Sequence, residues 1–160
     1  MVKVDTIFVR LKTRDEDGAG TDGDVYLGIG GREFQIDKHD RDDFERGDDA
    51  TYILGERPTV QPANAIDISG FATNPKDPYV VKTENLNLFP VYIRLEKADS
   101  VSSTWRLDYV EVRANPETDN ITYSALDDDF EWIFLGGGFG RTLYLVPKPP
   151  IIGARKDSQN

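Results

Sequence analysis

The stretch Asp24 to Ile36, DVYLGIGGREFQI, decides the fold. Val25, Leu27 and Ile29 recur at every second residue, which places them on one face of an extended chain. Gly30-Gly31 follows at once, and paired glycines supply the positive φ angles that a two-residue hairpin turn requires. The chain then returns with Phe34 and Ile36, again two apart. These residues therefore spell a β-hairpin that is covered on one face.

Period two continues in both directions. In TIFVRLKT, Thr6 to Thr13, the residues Ile7, Val9 and Leu11 face one way and Phe8, Arg10 and Lys12 the other. TYIL (51–54), VYIRLEK (91–97), WRLDYVEVR (105–113), ITYSA (121–125), EWIFL (131–135) and RTLYLVP (141–147) are further strand candidates separated by turn-rich sequence. No convincing amphipathic helix interrupts them. Short strands at this spacing predict an all-β fold, an antiparallel β-sandwich of about eight strands, rather than an α/β fold. Residues 57–90, with PTVQPANA and TNPKDP, read as a long insertion around one or two strands near Ala65 to Ile68 and Tyr79 to Lys82. A chain of 160 residues suits one domain, 1–148, followed by a flexible tail, 149–160.

Charged residues make up 30% and apolar ones 38%, an ordinary globular balance, and the formal net charge is −10. Phosphate binding needs Lys and Arg, so this balance argues against nucleic acid and against unaided attraction to an anionic membrane, a local argument that a multivalent cation would reverse. With no cysteine, disulfides, thiolate catalysis and Cys-based zinc sites are excluded by composition. The start, MVKVDTIFVRLKTR, lacks the pattern of a signal peptide, and no run approaches the ~20 apolar residues of a spanning helix. The compartment stays undetermined.

The negative charge is concentrated. DEDGAGTDGDV, Asp15 to Val25, carries five acids, interleaved with glycine and with no lysine or arginine. A second acidic stretch, DKHDRDDF, runs from Asp37 to Phe44. Two up-and-down passages separate them, so both fall at one end of the sandwich. Ca²⁺ takes 6–8 oxygens in a flexible arrangement, which two adjacent acidic loops supply more readily than one. The plainer alternative is a pair of solvated loops.

GAGTDGDVYLGI, then DDFERGDDATYIL, then LEKADSVSSTWRLDYVEV together resemble the PLAT (lipoxygenase homology) domain family. This is the β-sandwich module of lipoxygenases, polycystins, pancreatic-type lipases and the C-terminal domain of clostridial alpha-toxin. The resemblance runs from Thr6 to Val112, interrupted by 57–90. Its motifs are the GAGTD turn, an F-x-x-G-x-x-D at Phe44 and Gly47 that ends near Asp49 or Ala50, and W-x-L-x-x-V at Trp105, Leu107 and Val110. The resemblance implies a calcium-binding end: Gly20 through its carbonyl, Thr21 and Asp22 in the first loop, Asp37 and Asp43 in the second, and Asp99 before the tryptophan strand. The chain departs from the toxin-like pattern at Gly18, where an acid is expected, which makes Asp17 a shifted substitute. The second loop is one residue longer, leaving Asp37, Asp40 and Asp42 interchangeable.

The family's role is targeting. The resemblance implies a non-catalytic, free-standing binding module that attaches to a membrane lipid surface or a protein partner, with calcium bridging the acids to phosphate headgroups. Phe71, Tyr79, Phe89 and Phe139, each beside turn-forming sequence, are the candidate contact tips, although an aromatic next to a loop more often caps the core. One alternative is a protein-interaction module without calcium, using 57–90 as its partner surface. A more distant one is a small hydrolase with paired carboxylates, for which Asp127 to Asp129 are as good as any.

Other patterns carry less. Arg46-Gly47-Asp48 shares its glycine with the loop motif, and the sequon Asn120-Ile121-Thr122 matters only in a secreted protein. GGGFGR, 136–141, has no P-loop lysine and reads as a β-turn or bulge. The acids at Asp15 and Asp17 miss EF-hand spacing, since Ala19 and Tyr26 stand where oxygen ligands are needed. His39 is the one histidine, and there is no G-x-S-x-G elbow, so nucleophilic catalysis finds no support.

Overall fold

The computed structural model describes residues 2–69, 81–96, 104–126, 132–136 and 138–149. Of the expected features, Phe71, Tyr79, Asp99, the acids 127–129 and all of the tail beyond Pro149 lie outside these residues. In chain order the strands are β1 (Thr6–Thr13), β2 (Asp24–Ile29), β3 (Arg32–Ile36), β4 (Asp49–Gly55), β5 (Ala65–Asp67), β6 (Tyr92–Glu96), β7 (Trp105–Ala114), β8 (Ile121–Ala125), β9 (Ile133–Leu135), β10 (Thr142–Tyr144) and β11 (Val146–Lys148). They form two sheets. The larger runs β11-β8-β7-β1-β4-β5, with β9 also paired to β7, and the smaller runs β10-β6-β2-β3. No helix among the described residues is long and apolar enough to cross a membrane.

The alternation in the sequence becomes the core between the sheets. Ile7, Val9 and Leu11 of β1, Tyr52 and Leu54 of β4, and Val110 and Val112 of β7 pack toward Val25, Leu27, Ile29, Phe34, Ile36, Ile93 and Leu95 of the smaller sheet. The hairpin forms as written: Gly30 and Gly31 take φ of 60° and 81°, and Ile29 pairs with Arg32. β1 lies at the centre of the larger sheet, antiparallel to both β4 and β7. Trp105, at the start of β7, is fully buried and donates its indole N–H to Thr13 Oγ1 at 2.9 Å.

The strand count among the described residues exceeds the expectation because β5, β9, β10 and β11 are only three residues each, too short to show a period. Three of them change the topology. β5 arises where the insertion was expected to hold a strand, but it pairs with β4 in parallel, because the excursion after Gly55 carries the chain back before laying it down. The larger sheet also buries apolar residues on its outer face. On that face Ile53 and Phe8 point away from the inter-sheet core and are nonetheless buried, with the Ile53 carbonyl accepting the Ile68 N–H at 3.0 Å and Phe8 beneath the Arg113 guanidinium. RTLYLVP, read as one strand, is two: β10 pairs with β6 in the smaller sheet and β11 with β8 in the larger, with Leu145 buried at the crossing. A strand that switches sheets makes a corner of the sandwich.

Candidate functional site

Strand direction puts the two acidic loops at one end. β1 runs into residues 14–23, β3 runs into 37–48, and β2 and β4 carry the chain away from the same end. Backbone hydrogen bonds join the loops: Thr21 N–H to the Phe44 carbonyl at 3.1 Å, Gly47 N–H to the Arg14 carbonyl at 3.2 Å and Thr13 N–H to the Asp48 carbonyl at 2.8 Å. Ala19 accepts the Arg106 N–H at 2.9 Å, which ties in the start of β7. Gly20 sits in the tightest part of the seam. A Cβ there would lie 2.8 Å from the Phe44 carbonyl oxygen, so the loops approach this closely only because the residue has no side chain.

Phe44 is the keystone. Its ring is buried against Trp105 at 5.1 Å and Tyr52 at 5.8 Å between centroids, and its φ of 63° is the left-handed value that lets the ring point inward while its carbonyl meets Thr21. Both halves of the F-x-x-G motif are thereby explained, since Gly47 also takes a positive φ, 75°.

Each acidic loop carries a formal charge of −3, four acids against one arginine in 14–23 and six acids against three bases in 37–48, so the two hold −6 of the chain's −10. Much of this charge is paired. Asp43 accepts the Lys38 N–H, the Tyr52 hydroxyl and Arg41, each at 2.8 Å. Arg41 also binds Asp48. Arg46 reaches across the seam to Asp15 at 2.8 Å and to Asp17, while Glu16 is held by Arg106. Asp37 is crowded by like charge: burial, then the negative charge of Asp43, raises its pKa above the usual aspartate range against the pull of His39, with a smaller push from Asp24 and a hydrogen bond shared with Asp43. Burial beside Asp43 likewise pushes the Tyr52 hydroxyl far up, so it stays a donor.

The expected ligands are thus distributed unequally. Gly20, Thr21, Asp22, Asp37, Asp40 and Asp43 do come together at one end, with Asp22 and Asp40 exposed and Thr21 buried, its Oγ1 accepting the Gly23 N–H at 3.0 Å. Asp17 is turned toward Arg46. Among the described residues no group of three or more acids or histidines converges as a ready metal site.

Of the aromatic tips, Phe139 projects at the acidic end, 64% exposed, from the turn after β9, where Gly136 and Gly140 bridge. Its ring stacks on Phe134 at 4.6 Å, and Phe134 meets Trp132 edge-on at 4.8 Å. Phe89 lies at the opposite end, over Gly31 of the hairpin, so one flat surface cannot meet both. The sequence reading missed the stack, although Trp132 and Phe134, two apart in EWIFL, already share a strand face.

These features define a two-sheet, mostly antiparallel sandwich whose acidic loops are clamped together at one end. No family model and no curated protein matches the sequence. Among solved structures, the chain is similar to the alpha toxin of Clostridium absonum, with a TM-score of 0.58 and 27% identity over 91% of this chain and 32% of that one. It is also similar to a coral 8R-lipoxygenase described as calcium-activated via a C2-like domain, with a TM-score of 0.49 and 18% identity over 89% of this chain and 17% of that one. The chain therefore spans 32% and 17% of these neighbours' lengths. The toxin match bears out the resemblance read in the sequence.

Proposed function

We propose that this chain is a non-catalytic, PLAT-like binding module that attaches to a lipid surface or a protein partner through its acidic-loop end, and that Ca²⁺ is taken up there. The observation that carries this is the crowding at Asp37, half-buried beside Asp43 and Asp24 with its charged form disfavoured. Asp37, Asp22 and the Gly20 carbonyl would hold the ion, with Asp43 shared between it and Arg41. Bound calcium would supply a positive bridge from these acids to phosphate headgroups, which reconciles a net charge of −10 with a membrane. Phe139, at the same end, supplies the apolar contact.

Thermal unfolding in EDTA, Ca²⁺ and Mg²⁺ tests the calcium part. Ligand at 100 times its dissociation constant adds about 2.7 kcal/mol, which for a chain of this size raises the midpoint by about 5–10 °C. A calcium-specific rise supports the reading. Equal midpoints in all three would favour a second reading, a protein-interaction module whose acidic loops are structural, for which the arginine pairs of Asp15, Asp17, Asp43 and Asp48 speak.

A further inference from the structure

The second loop contains a cation of its own. Asp43 and Asp48 are enclosed acids of that loop, with side chains 5% and 14% exposed. Two carboxylates so placed destabilise a fold unless a positive charge and further donors meet their oxygens. Arg41 meets both. Its Nη1 binds Asp43 Oδ1 at 2.8 Å and lies 3.1 Å from the Tyr52 hydroxyl, and its Nη2 binds Asp48 Oδ1. The remaining oxygens take backbone donors, Asp43 Oδ2 the Lys38 N–H at 2.8 Å and Asp48 Oδ2 the Phe44 N–H at 3.2 Å. One guanidinium thus gathers two carboxylates, and through them two main-chain amides, into a closed ring around the residue that presents its carbonyl to Thr21.

We propose that Arg41 is the built-in cation of this loop and performs the ordering that a bound metal ion would otherwise perform. A planar fork suits the task better than a point charge, because its two nitrogens reach acids on either side of Phe44 at once. Arg46 does not share the role, since it and its partners Asp15 and Asp17 are largely exposed, where ion pairs contribute little. The consequence is a division of labour. The second loop is shaped before any calcium arrives, and calcium at Asp37 changes what the end attaches to rather than whether it is folded.

Hydrogen exchange and thermal unfolding of the whole chain in EDTA, without vesicles, test this independently of any calcium or lipid binding. In the wild type the Lys38 and Phe44 amides are already protected in EDTA, before any Ca²⁺ is added. Arg41→Met exposes both and lowers the midpoint by about 5–10 °C, with Arg41→Lys in between. Should Arg41→Met fold too poorly to assay, the pair Asp43→Asn and Asp43→Asn with Arg41→Met keeps the test open, because once Asp43 is neutral the arginine change costs much less. Lys38 and Phe44 amides that exchange freely in wild-type EDTA samples and become protected only with Ca²⁺ would overturn the proposal. So would an Arg41→Met midpoint equal to that of the wild type.

Discussion

Replacing Gly20 with alanine probes the seam between the loops with a single methyl group. That methyl would lie 2.8 Å from the Phe44 carbonyl oxygen and 3.2 Å from both the Arg46 nitrogen and the Glu45 Cα. All three are main-chain atoms, so no rotamer change relieves the contact. Overpacking of this kind costs about 1–3 kcal/mol. Relief by retreat of the second loop would stretch the 3.1 Å bond from Thr21 N–H to the Phe44 carbonyl, and a lost hydrogen bond costs about 1 kcal/mol more. The sum, about 2–4 kcal/mol, corresponds to a fall of about 5–15 °C in thermal midpoint at this chain length. Calorimetry in EDTA reads it directly. Gly138→Ala is the control, because nothing lies within 4 Å of a Cβ there and its φ is not left-handed. A Gly20→Ala protein that unfolds with the wild type and the control would refute the packed seam, and with it the idea that the two loops act as one surface.

Three further outcomes follow from the same coordinates. Trp105→Phe removes the only described donor to Thr13 Oγ1 and leaves a small void, costing about 2–4 kcal/mol in denaturant unfolding, and adding Thr13→Val recovers part of the loss. Asp37→Asn raises the midpoint at neutral pH in EDTA: the folded-state pKa of Asp37 lies above its unfolded value, so its charge is a cost at neutral pH that is relieved as pH falls through the raised pKa, and the gap to the wild type closes there. A gap that widens toward acid would reverse the sign and refute the crowding. Glu33→Gln destabilises, because Glu33 takes two Arg94 nitrogens at 2.8 Å and the Tyr92 hydroxyl at 2.7 Å; the arginine holds the Glu33 carboxyl below its usual range, and the Tyr92 hydroxyl, pushed up to about 12 by burial and then by Glu33, falls only part of the way back on mutation, which spectrophotometric titration reads.

The long strands were legible because their burial alternates: Ile7, Val9 and Leu11, or Val25, Leu27 and Ile29, carry period two in residue type alone. The corner at Leu145 was not, since a strand that changes sheets keeps its alternation and betrays the switch only by its partners. Nor was the parallel pairing of β5, whose three residues are too few to show a period and whose partner is set by an excursion of the chain. At the site, the meeting of the two acidic loops was legible from counting passages, but the reason for glycine at position 20, its close approach to the Phe44 main chain, was not. The charge pairing was not. Arg41 and Arg46 look like interruptions in an acidic run, and only the folded loop shows Arg41 enclosed by Asp43 and Asp48 and Arg46 crossing to the other loop.

Co-sedimentation with vesicles of mixed phosphatidylcholine and phosphatidylserine tests the attachment most directly. The account predicts pelleting in Ca²⁺, none in EDTA, and loss of the pelleted fraction in Phe139→Ser and in Asp37→Asn, both of which remain folded. A chain that stays in the supernatant with and without Ca²⁺, or pellets equally well with both substitutions in place, would contradict attachment to lipid through this end.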